Sequence, residues 1–340
     1  MPIAEIVVTS GSGAGRAVTT ANRLLAALTA AGHRGHMCCF RDAEELRLWA
    51  RACSLEFTHL VCVGGDATQS AAATAAARLA VPLVPVPSGF GNVFARTFGH
   101  DNRIASVVAQ VERGEVRRVD TGMAGQAIFL CHRSYGFLED VQRAVERNRA
   151  QPRSRLRRHL AYYAMASEIL RDIPLSSIAV EVDGVPVAED SALVTVANVE
   201  TYRGFLTLTP GASPFDGLLD VFILPRTSKG RLLGRLLALL LKLPGRWDGA
   251  QLLRGREVSV TVDGRTRHEL RIARGVLPLT WPVHREQGLR AALAMAPGRF
   301  LARPAGPIRS YGMALPASGA AHPGERMATR KMSPSPTHTT

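Results

Sequence analysis

The sequence lacks any apolar run long enough to cross a bilayer. Its most apolar stretch, Leu236 to Leu241, falls far short of the roughly 20 residues a spanning helix needs. Paired cysteines are missing too. Cys38, Cys39, Cys53, Cys62 and Cys131 are odd in number and show no C-x-x-C spacing. That pattern argues against a zinc site and suits reduced, buried thiols in a cytosolic protein. No basic leader precedes the strand signal in MPIAEIVVTS, so no signal peptide is expected. Internal repeats are absent, and no RNP or helix-turn-helix pattern supports a specific nucleic-acid partner. The expectation is a cytoplasmic protein, soluble or peripheral to a membrane.

The chain has 340 residues, which is comfortable for two domains, and its 46% hydrophobic and 21% charged residues are ordinary globular composition. The formal net charge of +14 calls for an acidic partner: nucleic acid, anionic membrane or a phosphorylated substrate. Arg143 to Arg171 holds eight arginines against only Glu146 and Glu168. An Arg-rich solvated surface would give the same excess.

Up to about residue 120 strand signals alternate with helix signals. Strands are expected at Ile6–Thr9, His36–Phe40, His59–Val63 and Val81–Pro87. Helices are expected at Val18–Ala31, around Leu46 to Trp49, at Ser70–Leu79 and at Asn92–Phe98. Repeated strand–loop–helix units imply a parallel sheet with helices on its faces, and ligands then gather at the carboxyl ends of the strands. From about Val116 onward short strands dominate: Val116–Val119, Ala127–Leu130, Ile178–Val182, Leu193–Val199, Leu219–Leu224, Val258–Val262 and Leu270–Ala273. Turns such as Asp183-Gly184 and Asp263-Gly264 separate several of them, favouring an antiparallel sandwich. Helices at Arg153–Arg171 and Gly230–Leu243 interrupt it. The division is thus an α/β domain at 1–120, a β-sandwich domain at 121–297, and a disordered basic tail at 298–340.

Two loops carry the chemistry. VCVGGDAT (Val61–Thr68) sets two glycines at a strand end, where backbone can approach a ligand closely. Asp66 can orient a phosphate through metal or water, and Thr68 can donate to a phosphate oxygen. The same residues also suit a tight turn in which Asp66 caps the following helix. The second loop, PSGFGNVFAR, spans Pro87 to Arg96. The earlier loop SGSGAG (Ser10–Gly15) is neither a Walker A, lacking GK[ST], nor a GxGxxG fingerprint.

Taken together, these two stretches resemble the diacylglycerol kinase catalytic family, which includes bacterial lipid kinases, sphingosine kinases and ceramide kinases, with motifs near GGDGTxNE and PxGTxNDFAR. RRVDTGMA, the stretch from Asn198 to Val221 ending FDGLLDV, and VSVTVDGRTRHELRIARGVLPL extend the resemblance over roughly Ile6 to Val283. It implies an NAD kinase-like α/β domain with a parallel sheet plus a C-terminal β-sandwich domain that takes the lipid, with ATP in the cleft between them. Carried over by position, Gly64, Gly65, Asp66, Ala67 and Thr68 would face the triphosphate, and Gly89 and Asn92 would form the second nucleotide loop. Asp120 would support the metal and water network. Asp216 and the Leu218 carbonyl would hold Mg²⁺, and Asp263 would lie in the Asp-Gly-Glu motif as general base.

The implied activity is ATP- and Mg²⁺-dependent phosphorylation of a lipid hydroxyl, diacylglycerol-like or sphingoid-like, at a membrane surface. The Arg143–Arg171 segment, with Tyr162 and Tyr163, and the Leu-rich 230–243 helix would touch anionic headgroups. That helix also fits an amphipathic element packed on the sandwich. A homo-oligomer is left open. The family pattern is broken at Ala67, at Ser70-Ala71 in place of Asn-Glu, at Phe90, at Val93, and at Arg265 in place of the motif glutamate. A non-catalytic nucleotide- or lipid-binding protein on the same scaffold is the alternative reading.

Overall fold

The computed structural model describes residues 1–141 except 55 and 90, residues 164, 167 and 168, and residues 175–202, 206–240 and 249–283. The strands are β1 (Ile3–Thr9), β2 (Arg34–Phe40), β3 (His59–Gly64), β4 (Leu83–Pro87), β5 (Val116–Ala124), β6 (Ala127–Phe129), β7 (His132–Gly136), β8 (Ile178–Val182), β9 (Val185–Ala197), β10 (Thr201–Tyr202), β11 (Leu206–Thr207), β12 (Leu219–Pro225), β13 (Gln251–Gly255), β14 (Glu257–Val262) and β15 (Thr266–Thr280). The helices are α1 (Arg16–Ala30), α2 (Ala43–Ala52), α3 (Asp66–Leu79), α4 (Val93–Thr97), α5 (Ile104–Arg113) and α6 (Lys229–Leu240).

β2, β1, β3 and β4 pair in parallel in that spatial order. β1 and β3 are buried almost along their whole length, Glu5 of β1 included, because helices cover both faces of the sheet. Ala17, Ala21, Leu24 and Leu28 form the buried stripe of α1, spaced as one helix face requires. Asp42 caps α2 by accepting from the N–H groups of Glu44 and Glu45, and the Glu45 carboxylate reaches back to the Arg41 N–H. In α3 small side chains let the helix sink into the core, with Ala71, Ala72, Ala73, Ala75 and Ala76 fully buried.

The antiparallel half follows the order β13-β12-β9-β8-β14-β15, with β7 also on β9 and β5 also on β15. Its core is β-branched and aliphatic: Val194, Val196, Val221, Ile223, Val258, Val260 and Leu270. β15 joins the two halves. Its first part pairs with β14. A register shift between Ala273 and Leu277 then turns it so that Leu279 pairs in parallel with Leu83 of β4. Leu277, Leu279 and Trp281 thereby enter the core beneath α3 and α4.

The expected α/β domain with a β-sandwich-like domain after it is what the chain forms. Differences lie in lengths and additions. The expected Leu193–Val199 covers the end of the 13-residue β9 and runs two residues past it, and Leu270–Ala273 is a portion of the 15-residue β15. Helix α5 and strands β7 and β13 were not expected. The helix Arg153–Arg171, apart from residues 164, 167 and 168, lies outside the described residues. So do Tyr162, Tyr163 and the 298–340 tail. Among the described residues no helix is long and apolar enough to cross a membrane.

Candidate active site

Three loops converge at the carboxyl ends of β1, β3 and β4. The Ser88 N–H donates to the Gly64 carbonyl at 3.0 Å, and the hydroxyls of Thr9 and Thr68 lie 3.1 Å apart in buried surroundings. A Cβ built on Gly65 would stand 3.2 Å from the Gly89 Cα, and one on Gly89 would overlap the Gly65 backbone. Glycine at position 89 is required for that approach, and a side chain at position 65 would push the loops apart by a few tenths of an ångström. Asn92 holds the second loop in shape: its Oδ1 accepts from the Gly89 N–H at 2.7 Å and its Nδ2 donates to the Gly89 carbonyl at 2.8 Å. Asn92 does so from a left-handed backbone (φ 50°) that asparagine tolerates better than most residues.

Asp66 does not cap its own helix. It opens α3, and its Oδ1 accepts from the Phe94 N–H of α4 at 3.0 Å. The Cys131 thiol donates to the same oxygen at 3.6 Å, and burial, reinforced by Asp66, pushes that thiol well above its usual range. Ala67 sits exposed in the first turn of α3, outside the left-handed region, so its methyl group carries no backbone penalty. Ser70 accepts from the Leu130 N–H at 3.3 Å, while Ala71 and Val93 are core residues. Phe90 lies outside the described residues.

A cavity of about 420 Å³ opens beside Ser88, Gly89 and Asn92, bordered by Arg16 and Arg96. The two guanidinium groups at the rim of this cavity suit a polyphosphate. Arg16 also braces the first loop by donating to the Gly13 carbonyl at 3.1 Å.

Asp120 is a buried node. Its two carboxylate oxygens accept from the N–H groups of Gly217 (2.8 Å) and Gly275 (2.7 Å), and its own N–H donates to the Pro214 carbonyl at 2.8 Å. Asn198, fully buried, donates to the carbonyls of Asp120 and Leu130 at 2.9 and 3.2 Å. Through Leu130 and Cys131 the node reaches Ser70 and Asp66.

Asp216 and Leu218 are brought together, the carboxylate accepting from the Leu218 N–H at 3.1 Å. Arg254 occupies the other side. Its Nε donates to Asp220 at 2.8 Å, its Nη2 to the Gly211 carbonyl at 2.9 Å, and its Nη1 lies 4.0 Å from Asp216 Oδ2. Burial raises the pKa of both acids, that of Asp220 to about 7, with Arg254 opposing the rise. The second Asp220 oxygen has no partner, yet the side chain is 0% exposed and closed to a hydrated ion. Among the described residues no cluster of three His, Cys, Asp or Glu side chains could hold a metal. This donor set, with a guanidinium at its centre, does not fit a resident divalent ion.

Asp263 is not brought to the glycine loops. It occupies the turn of the β14–β15 hairpin with φ 51°, followed by Gly264 at φ 63°, and its carboxylate accepts from the Ser177 N–H at 2.8 Å. Along β15 about eleven residues, or roughly 35 Å at strand rise, separate Gly264 of this turn from the Gly275 that binds Asp120. Arg265 beside it is exposed.

Sequence reasoning missed Arg16, Arg96 and Arg254. The first two follow or lie within motif stretches but have no fixed partner in sequence. Arg254 acquires meaning only from the β12–β13 register, which sets it opposite Asp220.

A Gly-loop α/β half linked by one strand to a sandwich defines the diacylglycerol kinase-like class. The model of the diacylglycerol kinase catalytic domain matches residues 4–124, and that of the YegS C-terminal NAD kinase beta sandwich-like domain matches 135–278. A diacylglycerol kinase of Mycobacterium tuberculosis is 30% identical over 230 residues, covering 65% of this chain and 73% of that protein. A probable lipid kinase YegS-like protein of Pseudomonas putida is 29% identical over 186 residues, 54% of this chain and 61% of its own. The crystal structure of a putative diacylglycerol kinase from Bacillus anthracis superposes with a TM-score of 0.62 at 18% identity, covering 83% of this chain and 96% of its own, a likeness of fold. The chain belongs to the diacylglycerol kinase family of lipid kinases.

Proposed function

We propose that this chain transfers the γ-phosphoryl group of ATP to the hydroxyl of a diacylglycerol-like or sphingoid-like lipid. The observation that carries the reading is the Gly65–Gly89 contact, tied by Asp66 and set beside an arginine-bordered cavity. Phosphoryl transfer asks for little covalent chemistry. It needs the phosphates positioned, their charge offset, and the acceptor proton removed. The first turn of α3 supplies N–H donors, and Arg16 and Arg96 supply charge. A divalent ion would enter on the nucleotide as part of the substrate and neutralise phosphate charge there.

Asp66 is the carboxylate at the junction of the loops. Its Oδ1 is fixed by the Phe94 N–H, which leaves Oδ2 to take the acceptor proton, a role worth roughly 10²- to 10⁴-fold in rate. Asp120 acts at a distance, holding loop 214–217 and the β15 bend against the site. The relatives' names favour a glycerolipid acceptor, and the exposed Lys229 and Arg231 on α6 favour contact with anionic headgroups, while Leu232 packs inward.

The test is a panel of diacylglycerol, monoacylglycerol, sphingoid and ceramide acceptors in mixed micelles with ATP and Mg²⁺, read by mass spectrometry. A phosphorylated glycerolipid or sphingoid base is expected; no phosphorylated lipid from any acceptor overturns the reading.

A further inference from the structure

Loop 211–220 carries the Gly217 N–H that binds Asp120, so its shape decides whether the node forms. Three oxygens point into it from different places: the Gly211 carbonyl, Asp216 Oδ2 and Asp220 Oδ1. Each faces one nitrogen of a single side chain, Arg254. We propose that Arg254 is a built-in cation that does the work of a structural divalent ion here, so that the loop and the Asp120 node are ordered without metal.

The chemistry favours the substitution. A guanidinium presents several N–H donors in one plane and can join a carbonyl and two carboxylates at once. A magnesium or calcium ion needs six or more oxygens at contact distance, and here the oxygens within reach already face nitrogen. A dication against Asp216 would also stand within a few ångströms of a fixed positive charge. Arg254 is not free to withdraw, because β12–β13 pairing sets it directly across from Asp220, whose side chain is 0% exposed. Of the other acids at the loop, Asp120 has both oxygens committed to N–H groups, and Glu200 accepts from the Gly211 N–H. Arg254 is thus a positioning residue, acting on the site through Gly217.

The test uses the full chain and reads thermal unfolding and terbium luminescence, neither of which depends on phosphoryl transfer, so a failed kinase reading would leave the result intact. The wild type is expected to melt at one temperature in excess EDTA and in millimolar Mg²⁺ or Ca²⁺, and to show no saturable Tb³⁺ signal. Arg254→Met is expected to melt lower and to regain stability on adding Mg²⁺ or Ca²⁺, in a saturable way. Arg254→Lys should keep much of the stability and stay indifferent to metal. Saturable Tb³⁺ binding by the wild type, or a melting temperature that falls in EDTA, overturns the proposal. So does an Arg254→Met protein that is weakened and ignores metal, since that describes a plain ion pair. If Arg254→Met does not fold, the wild-type and Arg254→Lys measurements decide alone.

Discussion

Asp66 and Phe94 are joined by a 3.0 Å hydrogen bond, so the acid of the first glycine loop caps the helix that follows the second. One carboxylate therefore fixes the distance between two loops that are 28 residues apart in sequence. Asparagine keeps an acceptor for the Phe94 N–H; alanine does not. Asp66→Ala is expected to cost about 1–2 kcal/mol by urea unfolding, the usual loss for a helix cap. Asp66→Asn should unfold near the wild type yet lose roughly 100-fold or more in turnover, because amide nitrogen takes no proton. Equal turnover in the Asn variant would remove Asp66 from the chemistry.

Gly89→Ala tests the contact between loops. Its methyl group would overlap the Gly65 backbone and crowd Asn92 Oδ1 at 3.1 Å. The loops must part, and nucleotide affinity should fall about tenfold or more, equivalent to at least ~1.4 kcal/mol. A fluorescent nucleotide titration measures this, with circular dichroism confirming the fold. Unchanged affinity would place the phosphates elsewhere.

Asp263→Asn distinguishes a turn residue from a base. Asparagine accepts the left-handed backbone and the Ser177 N–H, so folding should be preserved. Lipid phosphorylation should be preserved as well, because the hairpin turn sits far along β15 from the Asp120 node. A collapse in kcat with intact melting would return Asp263 to the reaction.

Acid should destabilise the protein through His100. Its ring is buried and neutral, with Nδ1 bonded to Gln110, and burial depresses its pKa to about 4 from 6.5, opposed weakly by Gln110 and Asp101. Between those values the unfolded chain binds a proton that the folded chain refuses. Stability from this group is therefore complete above pH 6.5 and falls as pH drops toward 4, by on the order of 3 kcal/mol. Urea midpoints across pH 4–7 should show this slope in the wild type and a smaller one in His100→Gln. Identical slopes would contradict it.

The fold was legible where local patterns carried it. Apolar runs ended by glycine marked β1, β3 and β4, and the Asp183-Gly184 and Asp263-Gly264 pairs marked hairpins that the positive φ values bear out. What local pattern could not carry was long-range pairing. β15 changes partner at a bend centred on Gly275, and nothing near Leu279 announces Leu83 of β4 as its neighbour. The site divides the same way. The glycines and Asn92 of the two loops were readable as a motif. That Asp66 serves α4 rather than α3, and that Arg254 meets Asp216 and Asp220, depends on segments distant in sequence.

The most direct measurement is the transfer of label from γ-labelled ATP into chloroform-extractable lipid by the wild type and by Asp66→Asn in mixed micelles. Label is predicted in a glycerolipid or sphingoid product with the wild type, falling roughly 100-fold or more in the variant. Lipid without label across all acceptors, or equal label from both proteins, would contradict the assignment of a lipid kinase centred on Asp66.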